Sequence, residues 1–149
     1  MMISLVGLQK QTVDALMMAR KDMDDQGIKY CITGAFRSTE YQQALYAQGR
    51  EPLESVNAKR KIAGLAPIPQ SENTYTVTKC DGVKYKSNHQ SGLAVDVVPV
   101  NQSGNPIWPA PGDARWTPII TAMKKAGFQS GSEWKDFPDW PHYEIKEAS

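Results

Sequence analysis

Apolar and polar positions along this chain switch between two periods, and the switches mark its elements. Leu8, Thr12, Ala15, Leu16, Ala19 and Met23 fall on one stripe at three- and four-residue steps, which predicts an amphipathic helix over 8–26 stopped by Gly27. Residues 28–33 alternate apolar with polar, the period of a strand, and Gly34 permits a sharp exit. Thr39 followed by Gln42 has the spacing of a capping box and predicts a helix over 40–48, closed by Gly49. A short helix over 53–63 ends at Gly64, and a proline-containing loop follows over 65–73. Residues 74–79 alternate and are β-branched, Asp81-Gly82 reads as a hairpin turn, and 83–86 are expected to return as the second strand.

The run 93–98 is apolar on both faces except at Asp96, so it predicts a central strand with Ala94, Asp96 and Val98 on one side and Leu93, Val95 and Val97 on the other. Residues 99–113, rich in Gly, Pro and Asn, read as a long loop near the mouth of a site. Thr117-Pro118 forms an N-cap and first-turn pair for a helix over 119–126, ended by Gly127. Residues 128–134 read as an irregular turn. Trp134, Phe137 and Trp140 are spaced by three, but Pro138 and Pro141 argue against a helix, so these aromatics are expected to pack around a loop, with Trp140 also able to line a substrate groove. A last short strand over 142–145 puts His142 and Glu144 on one face.

Composition adds boundaries to this picture. A chain of 149 residues predicts one domain with a sizeable core. A net charge of +1 gives no case for nucleic-acid binding, and the basic cluster over 57–61 reads as a solvated helix face. The weakly apolar N-terminus has no basic lead and no long apolar run, so neither a signal peptide nor a membrane span is expected. Cys31 and Cys80 are isolated, fall in predicted strands and read as buried free thiols of a protein made in a reducing compartment.

The candidate chemistry lies in two stretches. Asp96 interrupts an apolar run, and a carboxylate there is costly to bury unless something positive meets it. The chain has only two histidines: His89 seven residues before Asp96, and His142 near the C-terminus. Two imidazoles and a carboxylate are a recurring zinc ligand set with a fourth position open for water. Asp139, across a proline turn from His142, could take a proton from that water, and Arg37, ahead of a predicted helix, could stabilise an oxyanion on an amide substrate. The spacing alone is weak. Asp96 could equally be a structural aspartate, His89 a hydrogen-bonded loop histidine, and Arg37 a surface arginine paired with an acidic neighbour.

Further motifs narrow these alternatives. Ser87-x-His89-x-x-Gly92-x-Ala94-x-Asp96 with a distant Asp139-x-x-His142 resembles the zinc D,D-peptidase and L-alanyl-D-glutamate endopeptidase family of peptidoglycan hydrolases, which spans VanX- and VanY-like peptidases and phage endolysins. Gly34-Ala35-Phe36-Arg37-Ser38 with Gln42 and Leu45 to Arg50, the segment from Val56 to Leu65, Val77-Thr78, and Trp134 to Glu144 are similar to the endolysin branch, so the likeness covers about Gly34 to Glu144. It implies a small α+β domain, Hedgehog/D,D-peptidase-like, with helices packed on a mainly antiparallel sheet. It implies zinc held by His89, Asp96 and His142, Asp139 as catalytic base, Arg37 as oxyanion stabiliser, and Ser87 as a supporting residue, for which a turn-forming role stands beside it.

The implied substrate is bacterial peptidoglycan, cut at the L-alanyl-D-glutamate bond of the stem peptide. The alternatives are a D-alanyl-D-alanine carboxypeptidase or dipeptidase on the same fold and a non-catalytic wall-binding module. Two departures stand out: part of the family uses a glutamate as base, which keeps Glu144 and Glu133 as alternatives to Asp139, and residues 83–86 lengthen the turn into the Ser87 motif. With no signal peptide, the expectation is a monomeric, bacteriolytic phage or prophage lysin. It would be made in the host cytoplasm, bind no nucleic acid, insert in no membrane, and reach the wall after membrane permeabilisation.

Overall fold

The computed structural model describes residues 3–146, so the first two residues of the N-terminal stretch read above lie outside it. In chain order the elements are α1 (Lys10–Asp25), β1 (Tyr30–Gly34), α2 (Thr39–Ala47), α3 (Leu53–Ile62), β2 (Ala94–Pro99), α4 (Thr117–Lys125), β3 (Gln129–Ser130) and β4 (His142–Glu144). The chain divides into two compact units, one taking residues up to Phe36 and from Gly92 onward, the other spanning Arg37–Ser91.

The first unit is an α+β layer. Its four strands lie in the order β1-β2-β4-β3, and every neighbouring pair is antiparallel. β2 is therefore central, as its two apolar faces predict. Alternation sends Val95 and Val97 of β2 and Tyr143 of β4 into one core with Leu16, Ala19 and Met23 of α1 and Ile119, Ala122 and Met123 of α4. Each fully buried Val, Leu, Ile or Met among them contributes about 1.5–3 kcal/mol. Thr12 sits on the same buried stripe of α1 because its hydroxyl donates to the Gly92 carbonyl at 2.7 Å, and the Gln9 amide donates to that carbonyl at 2.9 Å. These bonds tie the first turn of α1 to the entry of β2.

Tyr143 brings a hydroxyl into that core. Its hydroxyl is buried with no hydrogen-bond partner among the described residues. Burial pushes its phenol far above the ordinary range, and the Ser130 hydroxyl, too poorly placed to count as a partner, offsets this only in part. Removing an unpartnered buried hydroxyl relieves its desolvation. Tyr143→Phe should therefore leave stability unchanged or raise it by up to about 1 kcal/mol in denaturant unfolding. A loss above ~2 kcal/mol would mean that the hydroxyl is paired in solution.

The second unit holds α2, α3 and a long irregular segment. The helix over 39–47 is capped one residue earlier than the sequence suggests: the Ser38 hydroxyl accepts from the Tyr41 amide at 3.1 Å. Gln42, expected to close a capping box, is instead buried, and its amide donates to Thr78 Oγ1 at 3.1 Å and the Cys80 carbonyl at 3.0 Å. The strands expected over 74–79 and 83–86 do not form. Side-chain amides pin the chain just ahead of this stretch. Asn73 accepts from the Gly49 amide at 2.8 Å and donates to the Glu51 carbonyl at 2.9 Å, and Gln48 donates to the Glu72 carbonyl at 2.8 Å. Asp81 does not turn a hairpin; its carboxylate accepts from the Val83 and Tyr85 amides, both at 2.9 Å, and those bonds hold it below the usual carboxylate range. Cys31 and Cys80 are free thiols, half-buried, and only Cys31 lies in a strand. In the first unit, the turn expected over 128–134 contains the short strand β3, and Asp113, not Thr117, caps the 3-10 turn that leads into α4.

Candidate metal centre

Three strands line up one residue each. Gly34 of β1 faces Asp96 of β2, and Asp96 faces His142 of β4. Since Val95 and Tyr143 enter the core, Asp96 and His142 point to the opposite side of the sheet. His142 Nδ1 lies 3.7 Å from Asp96 Oδ1, and His142 Nε2 donates to Glu144 Oε1 at 2.7 Å. Burial alone would lower the affinity of His142 for a proton. The hydrogen bonds and charges of Asp96 and Glu144 outweigh it and bring the pKa up to about 9. Two carboxylates around one imidazole make a place where positive charge is strongly favoured, as proton or as cation.

Gly34 leaves the space that this arrangement needs. A Cβ there would stand 2.5 Å from Asp96 Oδ2 and 3.2 Å from its Cγ. The residue read as a sharp exit from the strand is thus the floor under the carboxylate. Gly34→Ala should push Asp96 aside and weaken metal binding by about 10–100-fold, the usual scale for a disturbed ligand support. Equal affinity in a competition titration would show that the carboxylate has room to spare.

His89 is delivered by a tightly held turn and is 2% exposed. Its amide donates to the Ser87 hydroxyl at 3.2 Å, and its carbonyl accepts from the Arg37 amide at 3.1 Å. Gln90 closes the same turn, accepting from the Ser87 amide and donating to the Gly82 carbonyl, both at 3.0 Å. One ligating atom from each of His89, Asp96 and His142 lies within 4.8 Å of the others. Two imidazole nitrogens and a carboxylate oxygen suit a borderline-soft divalent ion, so these residues fit a metal.

Residues 81–145 match the family profile described as D-alanyl-D-alanine carboxypeptidase, of the M15 peptidases. Over 142 residues the chain is 31% identical to the peptidoglycan L-alanyl-D-glutamate endopeptidase CwlK of Bacillus subtilis, covering 91% of this chain and 70% of CwlK. The chain belongs to the M15 peptidase family. Solved structures share its fold at low identity. The L-Ala D-Glu endopeptidase ChiX of Serratia marcescens is 21% identical with a TM-score of 0.57, over 95% of this chain and 83% of ChiX. VanYB, solved in complex with D-alanine-D-alanine, is 18% identical with a TM-score of 0.58, over 97% of this chain and 75% of VanYB. The vancomycin-resistance D,D-pentapeptidase VanY, solved in complex with Zn(II), is 16% identical with a TM-score of 0.57, over 93% of this chain and 72% of VanY.

The other residues singled out in this M15 peptidase fall as follows. Asp139 belongs to a turn pinned at both ends: its amide donates to the Gly131 carbonyl at 2.8 Å, and its own carbonyl accepts from the His142 amide at 3.2 Å. Arg37 Nη1 donates to Gln42 Oε1 at 3.2 Å, and its guanidinium stands 5.8 Å from the centre of the Tyr41 ring. The Ser87 hydroxyl accepts from the His89 amide and so forms the turn. Trp134 packs its ring 4.7 Å from that of His142, and Trp140 lies 6.2 Å from Trp116, as packing residues around a loop should. Gly34 and Gln42 were not singled out as site residues. Their roles depend on partners distant in sequence.

Proposed function

We propose that this chain is a zinc endopeptidase of the endolysin type that cleaves the L-alanyl-D-glutamate bond of peptidoglycan stem peptides, working as a monomer with residues 1–149 as one catalytic domain. The observation that carries the reading is the identity with CwlK across nearly the whole chain, on a protein whose His89, Asp96 and His142 supply a metal-ligand set. Those residues would hold the zinc. When bound, zinc acidifies water and polarises a carbonyl. Asp139, on its pinned turn, takes the proton from the attacking water and passes it to the leaving amine. Arg37, steadied by Gln42, offers its guanidinium to the oxyanion that develops on the scissile carbonyl. Among the described residues no helix is long and apolar enough to cross a membrane, so in this reading the chain meets its polymer from the aqueous side.

The family description favours a second reading, removal of terminal D-alanine. Digestion of purified peptidoglycan followed by mass analysis separates the two. New N-terminal D-glutamate supports the endopeptidase, and released D-alanine supports the carboxypeptidase. Binding to walls with no fragment released would leave a wall-binding module. The digestion is run with and without chelator, and hydrolysis unaffected by chelator would overturn the metal requirement.

A further inference from the structure

We infer that Glu144 is a positioning residue, whose carboxylate holds the His142 ring so that Nδ1 is turned toward Asp96 and kept available as a metal ligand. The inference rests on reading His89, Asp96 and His142 as zinc ligands. Alternation along β4 puts His142 and Glu144 on one face, with Tyr143 between them in the core. Glu144 Oε1 accepts from His142 Nε2 at 2.7 Å, while Nδ1 faces Asp96 Oδ1 at 3.7 Å. An ionised carboxylate can only accept, so Nε2 keeps its proton when a cation displaces the one on Nδ1, and the Nδ1 lone pair is left to the metal. The carboxylate is delivered from a fixed backbone: Glu144 pairs with Ala94 of β2 on one side and Gln129 of β3 on the other. Trp134 packs against the imidazole at 4.7 Å, so the ring is held by contact as well as by the hydrogen bond. A histidine clamped in one tautomer loses less entropy on binding a metal and is a more basic ligand.

The test is zinc affinity, by competition with a chromophoric chelator, for the parent, Glu144→Ala and Glu144→Gln, with circular dichroism to establish folding. Glu144→Ala should bind zinc about 10–100-fold more weakly. Glu144→Gln, whose amide oxygen can still accept from Nε2, should recover most of that loss. Excess zinc should bring hydrolysis by Glu144→Ala back toward the parent's. Parental zinc affinity in Glu144→Ala overturns the inference, and so does hydrolysis that excess zinc cannot restore, which would make Glu144 the base. A parent that binds no zinc fails the metal reading itself, a result distinct from a parent that binds zinc beside an unaffected variant. If Glu144→Ala does not fold, the long-range proton–nitrogen spectrum of the zinc-loaded parent decides the matter. Protonated Nε2 and metal-bound Nδ1 on His142 support the inference, and the reverse overturns it.

Discussion

His89→Ala will strip the chain of zinc and lower hydrolysis of purified peptidoglycan by about a thousandfold. The size follows from what the proposed ion supplies: several kcal/mol of transition-state stabilisation, at about 1.4 kcal/mol per tenfold in rate. With His89 gone, Asp96 and His142 are left as two ligands, one short of the three that hold a catalytic zinc. Chelation of the parent should give the same loss, and added zinc should reverse it in the parent but not in the variant. Because His89 is 2% exposed, the substitution also leaves a cavity. A melting curve must therefore accompany the assay, and His89→Asn serves as a second variant that keeps more of the volume. Elemental analysis finding equal zinc in parent and variant would remove His89 from the ligand set.

Asp139→Asn should keep its zinc and lose about 10²–10⁴-fold in kcat with little change in KM, the range for removing a general acid–base group. Engagement does not separate the candidates, since Asp139 and both rival carboxylates have partners. Glu133 is ion-paired with Lys124, and Glu144 accepts from His142. Asp139 belongs to the turn that leads directly into His142, so its backbone is fixed relative to a ligand while its side chain is partly exposed. If the variant digests walls at the parent's rate, another group is the base, and Glu133→Gln is the next variant to assay.

The elements that proved legible are those whose period is set by one large burial event. The stripe of α1, the two apolar faces of β2 and the shared face of His142 and Glu144 follow from a core on a single side, and the structure places them as the pattern predicts. The stretch from Thr74 to Lys86 alternates as a strand does, yet no sheet receives it. Gln42, Gln48 and Asn73 satisfy nearby backbone groups, and Asp81 satisfies its own turn, so alternation there reports exposure without pairing. The shift of the α2 cap from Thr39 to Ser38 has a similar cause, because Gln42 is drawn into the interior and cannot serve the helix start. At the site, residue chemistry announced His89, Asp96 and His142, but the place of Gly34 beneath Asp96 depends on register across strands. A pattern read along one strand carries no register.

The row from Gly34 through Asp96 to His142 has a consequence for folding kinetics. Each step across it joins positions remote in the chain, so the ligand pair on β2 and β4 is absent until non-local strands have zipped together, after most of the loop-closure entropy has been lost. An early collapsed state or an excised peptide would carry the same side chains without the same affinity. Metal capture would then come late and act on the native ensemble alone, and by mass action it would slow the escape from that ensemble more than it hastens entry.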